Sequence, residues 1–163
     1  MCIPYTVRET PDKGRGIFAN AFIHEGTTVW RHVAGQYAVF DERSLKTLLS
    51  NISDGEAVYV LTHIHCMPEF PGYMIRVFDD GELINHSDQQ TLLTRTKSGY
   101  DEVSAATYTV DVSTALLGNH FTLVAAHDIE KGEELTLDYN GDPEGPQYYD
   151  TLCEQYGVTW DWL

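Results

Sequence analysis

No apolar run in this chain goes far before glycine, proline, aspartate or asparagine interrupts it, and this punctuation restricts the fold to short elements. After the turn Pro11-Asp12-Lys13-Gly14, strand-like runs cover Ile17 to Ala21 and Thr27 to Val33. Asp41 then offers an N-cap to a short helix carrying Leu45, Leu48 and Leu49 on one face and stopping near Asn51. Ala57 to Ile64 and Tyr73 to Phe78 read as strands, separated by a loop whose Pro68, Pro71 and Gly72 do not suit a central ladder. Past the Asp80-Gly81 turn, further strands are expected over Thr91 to Thr96, Ala105 to Val112 and Phe121 to Ala126. A turn at Glu130-Lys131-Gly132 leads to a last strand, Leu135 to Tyr139. Gln147 to Tyr156 reads as a helix closed by Gly157, followed by an aromatic tail to Leu163. The fold class is therefore mostly β with a few short helices. No repeat or composition break divides residues 1–163, so one domain is expected.

Charge narrows the partners. Ten Lys plus Arg stand against 25 Asp plus Glu, a formal net charge of -15. That balance repels phosphate backbones and anionic membranes and steers basic partners inward, so direct nucleic-acid or membrane binding is not expected. Nothing at the start resembles a signal peptide, and no stretch reaches the roughly 18 apolar residues of a membrane span. Cys2, Cys66 and Cys153 are odd in number and widely spaced, which suits a reducing compartment and fits no zinc knuckle. An intracellular protein, cytoplasmic or nuclear, is expected.

Three motifs carry the chemistry. In Lys13-Gly14-Arg15-Gly16-Ile17-Phe18-Ala19 two glycines flank one residue, letting backbone approach a ligand closely; no helix-forming segment follows, so the dinucleotide fingerprint is excluded. Leu83-Ile84-Asn85-His86-Ser87 runs an apolar pair into amide, imidazole and hydroxyl groups that suit either local backbone or a ligand. The third, Asp128 to Tyr139, is a charged turn feeding a strand that ends in a tyrosine, whose hydroxyl suits a cleft or the surrounding water.

Taken in order, these segments resemble the SET domain family. There a Lys-Gly-x-Gly-Ile/Leu-Phe-Ala segment comes first, Asn-His-Ser sits past the middle and Gly-Glu-Glu-Leu-Thr-x-Asp-Tyr closes the site; here they stand at 13–19, 85–87 and 132–139. Tyr59, in Val58-Tyr59-Val60-Leu61, looks like the family's strand tyrosine near the cofactor. Tyr73 looks like the tyrosine opening the strand toward Asn-His-Ser. The resemblance implies a fold of several small sheets with a C-terminal pseudoknot, and S-adenosylmethionine as cofactor. It gives Arg15 and Gly16 to the cofactor's methionine end. Tyr59, Asn85 and His86 would also hold the cofactor, the histidine largely through its main chain near the adenine. Tyr139 would be the catalytic tyrosine and Tyr73 a second catalytic residue, its aromatic face suiting the wall of a channel for the lysine chain. The implied reaction moves a methyl group to a lysine side-chain amine, and the acidic charge favours a basic protein segment such as a histone tail, a DNA-packaging protein or a ribosomal protein.

Departures from the family pattern are local. Asp88-Gln89-Gln90-Thr91 follows the Asn-His-Ser segment where many members carry Cys-x-Pro-Asn, and Glu82-Leu83 replaces the Arg-Phe of many relatives. Leu137 stands where many relatives carry Phe or Tyr, which leaves the number of methyl groups added open. Cysteine-rich flanks are absent, so residues 142–163, with Tyr156, Trp160 and Trp162, are the expected closure of the site; those aromatics would equally staple a tail to the core. Two rivals compete. One is a catalytically inactive SET-like module that binds a basic protein. The other is a cupin-like metal enzyme using His63, His65 and Glu69, on the premise that His-x-His on a strand points both imidazoles to one face.

Overall fold

The computed structural model describes residues 1–67, 70, 72–96, 121–139 and 145–158. In chain order the elements are strands β1 (Tyr5–Glu9), β2 (Arg15–Ala19), β3 (Thr28–Arg31) and β4 (Tyr37–Phe40), helices α1 (Glu42–Leu49) and α2 (Asp54–Thr62), then β5 (Ile64–His65) and β6 (Met74–Val77). A 3-10 turn (Asp80–Leu83) precedes β7 (Asn85–His86), and β8 (Leu92–Thr96), β9 (Phe121–Ala125), β10 (Thr136–Leu137) and α3 (Gln147–Tyr156) follow. The strands form four small sheets, two of two strands and two of three, so the expected mostly β architecture with short helices is the one observed.

Local chemistry accounts for the punctuation. Gly14 takes a left-handed φ of 70° at the β1–β2 turn, and its carbonyl accepts from the Thr10 amide (2.6 Å) and hydroxyl (2.9 Å). Asp41 caps α1 through a reciprocal box with Ser44, whose hydrogen bonds hold the Asp41 carboxyl below the usual range. Gly157 closes α3 at φ 68°, the position expected from sequence. Asp79 caps the 3-10 turn by accepting from the Gly81 amide, and both its oxygens accept from Trp30 Nε1 at 3.0 Å. A Cβ on Gly81 would fall 2.5 Å from Trp30 Nε1, so only glycine lets the indole lie against this turn.

The Ala57–Ile64 segment departs from expectation: residues 54–62 are helix α2, not strand. Its β-branched and aromatic run, Val58 to Val60, reads as strand on propensity. Two stronger signals point to helix. Ser53 and Glu56 form a capping box, and Ala57, Val60 and Leu61, spaced i, i+3 and i+4, are the residues it buries. The last strand is shorter than expected because residues 132–135 first run along β2, with Leu135 N donating to Ile17 O (2.7 Å) and Ala19 N to Glu133 O (2.9 Å). Expected strand Ala105–Val112 lies outside the described residues, as do Glu69, Trp160 and Trp162.

Two cores result. One joins Ile17, Val29, Trp30, Ile84, Leu92, Ile129 and Leu135 from the strands. The other joins Leu45 and Leu49 of α1, Ala57 and Leu61 of α2, Met74 of β6 and Leu152 and Cys153 of α3. Tyr149 O–H donates to Leu61 O at 2.7 Å, tying α3 to α2. Among the described residues no helix is long and apolar enough to cross a membrane.

Candidate active site

Strands β7 and β10 pair in parallel, setting Thr136 opposite Asn85 and Leu137 opposite His86. The closing motif therefore touches the other two: residues 132–135 lie along β2, and 136–137 lie along β7. Thr91 and Thr136 lock the junction, each hydroxyl oxygen accepting from the other's amide at 3.3 and 2.9 Å.

Side chains converge on this junction. Asn85 Nδ2 donates to Glu134 Oε1 (2.8 Å) and to Arg15 O (3.2 Å), so one amide spans all three motifs. A Cβ on Gly16 would lie 2.5 Å from Glu134 Oε1 and 2.8 Å from Asn85 Nδ2, which explains the second glycine of the first motif as a packing requirement. Lys13 Nζ donates to His86 O at 2.8 Å. Tyr139 N–H donates to His86 Nδ1 at 3.1 Å, their rings sit 5.6 Å apart, and the Tyr139 hydroxyl donates to Ile84 O.

Tyr59 arrives from α2 rather than from a strand. Its hydroxyl donates to Glu82 Oε1 (3.2 Å), and its pKa is raised, first by burial and then by the Glu82 charge, with Arg76 and Arg15 opposing. Arg76 lies over its ring at 5.3 Å and His63 stacks on it at 4.0 Å. Arg15, Gly16, Tyr59, Asn85 and His86, five residues expected to act together, are thus drawn from three elements into one neighbourhood. Glu82 and Lys13 join them and were not singled out as site residues; Glu82 was visible only as a departure from the family pattern. Tyr73 is placed by other elements, ahead of β6. It lines a groove of about 770 Å³ with Asp41 to Arg43, Lys46, Thr47, Gly72 and Tyr148. Burial, with Asp41 and Glu42 nearby, pushes Tyr148 up to about 12, and its hydroxyl donates to Gly72 O at 3.0 Å.

The sequence of the SET domain matches residues 14–140. This chain belongs to the SET domain family. No curated protein matches it in sequence. Among solved structures it is similar to the Neurospora SET domain protein DIM-5, a histone lysine methyltransferase, at 18% identity and TM-score 0.53, covering 88% of this chain and 54% of that one. It is also similar to ctPRC2 bound to S-adenosylmethionine, at 18% and 0.59, covering 95% and 17%. A third is a proposed Plasmodium falciparum histone methyltransferase, at 12% and 0.51, covering 87% and 97%. The chain thus spans about half of DIM-5 and a smaller part of the ctPRC2 chain.

Within this SET domain the metal reading loses its premise. His63 ends α2 as its C-cap, with Nδ1 on Tyr59 O at 2.8 Å, so it shares no strand face with His65. His65 is a half-buried imidazole whose pKa desolvation lowers to about 4. A second set, His86, Asp88 and Asp138, brings one ligand atom each within 4.8 Å. Its imidazole is poorly set for a metal: Nδ1 accepts the Tyr139 amide, so Nε2 carries the proton and points it at Asp88, 3.3 Å away.

Proposed function

We propose that this SET domain is a protein-lysine N-methyltransferase that takes its methyl group from S-adenosylmethionine. The observation that carries the reading is the junction of all three motifs through Asn85, Glu134 and the β7–β10 pair. The residues present suit that cofactor. Gly16 lets Asn85 and Glu134 close against the first motif, Arg15 presents an exposed guanidinium suited to a carboxylate, and Asn85 and His86 add polar groups beside it. When bound, the cofactor supplies an electrophilic methyl group on a sulfonium.

What remains for the chain is to deliver a neutral amine. Lysine has a pKa of about 10.4, so a site that strips water from the ammonium lowers that value and releases the nucleophile. Holding the amine in line removes the orientational cost of a bimolecular step. Tyr139 fits the task because its hydroxyl is fixed on Ile84 O and its amide on His86, beside the residues assigned to the cofactor. Tyr73, in the groove beside α1 and Tyr148, is assigned to the wall of the path taken by the lysine chain, where an aromatic face suits a cation.

The net charge of -15 supports a lysine in a basic segment, such as a histone tail, a DNA-packaging protein or a ribosomal protein. Residues 1–163 are taken as one domain, with 142–163 closing the site; α3, packed on the helix that carries Tyr59, supports this. The test is calorimetric titration with S-adenosylmethionine, followed by tritium-methyl transfer to basic proteins, comparing wild type with Tyr139→Phe. Binding by both proteins with transfer by the wild type alone is expected. Binding without transfer by the wild type would favour an inactive module, and no binding would overturn the assignment.

A further inference from the structure

The short ladder at the centre of the site passes into a side-chain contact. β10 pairs with β7 over Thr136 and Leu137, and Ser87 N then donates to Leu137 O at 2.8 Å. Two residues further on, the Tyr139 N–H donates to Nδ1 of the His86 imidazole, 3.1 Å away. The Tyr139 hydroxyl donates to Ile84 O, so the tyrosine is held at both ends by the segment from Ile84 to His86. A neutral imidazole accepts at Nδ1 when its proton sits on Nε2. Asp88 gives that proton a partner, with Oδ1 3.3 Å from Nε2, whereas the Asp138 carboxylate lies 3.8 Å from Nδ1, beyond hydrogen-bond distance. The carboxylate at position 88 thus favours the tautomer that the Tyr139 amide requires. Asp88 is also this chain's own residue, since many relatives carry Cys after Asn-His-Ser.

We propose that the His86 imidazole is a positioning residue for Tyr139, held in its acceptor tautomer by Asp88. The imidazole acts by fixing the backbone from which the tyrosine projects, without touching the reacting atoms. A hydroxyl bond to Ile84 O alone leaves the ring free to pivot, and a displacement of about 1 Å is enough to cost about 100-fold in rate. The second anchor, at the amide, removes that freedom. The resemblance uses this histidine through its main chain, near the adenine; the side chain is a separate device on the same residue. Lys13 Nζ holds that main chain by donating to His86 O at 2.8 Å, a bond that does not involve the imidazole. Substitution of the ring therefore separates the two roles. The inference rests on the reading of Tyr139 as the catalytic tyrosine.

The experiment separates turnover from cofactor binding. Wild type, His86→Ala, His86→Asn, Asp88→Ala and the double variant His86→Asn with Asp88→Ala are titrated with S-adenosylhomocysteine. Each is then assayed for tritium-methyl transfer to core histones and ribosomal proteins, with kcat and KM resolved. Asparagine puts an oxygen where Nδ1 stands and needs no tautomer, and thermal midpoints check that each variant folds. Expected is a kcat about tenfold lower in His86→Ala and within about threefold of wild type in His86→Asn, with S-adenosylhomocysteine affinity changed by less than about twofold throughout. Asp88→Ala should lower kcat by about two- to threefold, the small effect of a partner that is 84% exposed, and add nothing in the His86→Asn background. Nitrogen-15 spectra of the wild type should show His86 protonated at Nε2. Unchanged kcat in His86→Ala, or no recovery in His86→Asn, would overturn the inference while leaving the methyltransferase assignment intact. A parallel loss of cofactor affinity would also overturn it, assigning the ring to the cofactor. Protonation at Nδ1, or an Asp88→Ala loss that persists in the His86→Asn background, would overturn the tautomer step. A wild type that transfers no methyl group would overturn the proposed function itself.

Discussion

Gly16 shows how a single residue is held by distant ones. Its missing Cβ makes room for Glu134 and Asn85, residues 118 and 69 positions away by number, 134 - 16 and 85 - 16. Gly16→Ala is therefore expected to cost about 1–3 kcal/mol of stability as the Asn85–Glu134 pair is pushed apart. It should also weaken S-adenosylmethionine binding, as read by denaturant unfolding and calorimetry. His32 supplies a second prediction. It is buried at 5% exposure, edge-on to Trp30 and Tyr37, and burial with His65 nearby lowers its pKa from 6.5 to about 4 against the opposing pull of Asp79. The folded ring is thus neutral where the unfolded ring takes a proton, so stability present above about pH 6.5 is lost as pH falls toward 4. His32 alone accounts for about 3 kcal/mol over that window, and His65 acts in the same direction. Urea midpoints between pH 4 and 7 should fall less steeply for His32→Leu than for wild type.

Among elements, α2 bears most directly on the proposed function because it carries Tyr59. Its start depends on Ser53, which accepts the Glu56 amide while Glu56 accepts the Ser53 amide at 2.9 Å. Ser53→Ala is expected to lower stability by about 0.5–2 kcal/mol with the cofactor site intact, measured by thermal unfolding with and without S-adenosylhomocysteine. The capping box Ser53-x-x-Glu56 is legible in the sequence; reading the β-branched run as a strand gave the wrong element. α1 and α3 were legible because their signals, the Asp41 cap and the Gly157 stop, are unambiguous and local. Strand β10 was overextended because hydrophobic alternation does not tell which neighbour a segment pairs with. Here Leu135 goes to β2 and Leu137 to β7.

For the molecule as a whole, charge is the dominant property. A protein at -15 attracts basic segments over distances that salt shortens, with a Debye length of about 8 Å at physiological ionic strength. If the substrate is recognised this way, raising salt should increase KM for a basic peptide several-fold. The affinity for S-adenosylmethionine, set by short contacts, should move far less. A salt-insensitive KM would count against electrostatic recognition.

The sequence by itself determined what depends on neighbours within a few residues: the helix caps, the turn glycines, the order of the three motifs and the identity of Tyr139, Asn85 and His86 as a group. Tertiary structure decided what depends on distant pairs. It made residues 54–62 a helix, separated His63 from His65, and brought the Tyr59 hydroxyl to Glu82. Local hydrogen bonds leave a periodic trace along the chain, whereas the contact that joins residues 15, 85 and 134 leaves none until the sheets have packed.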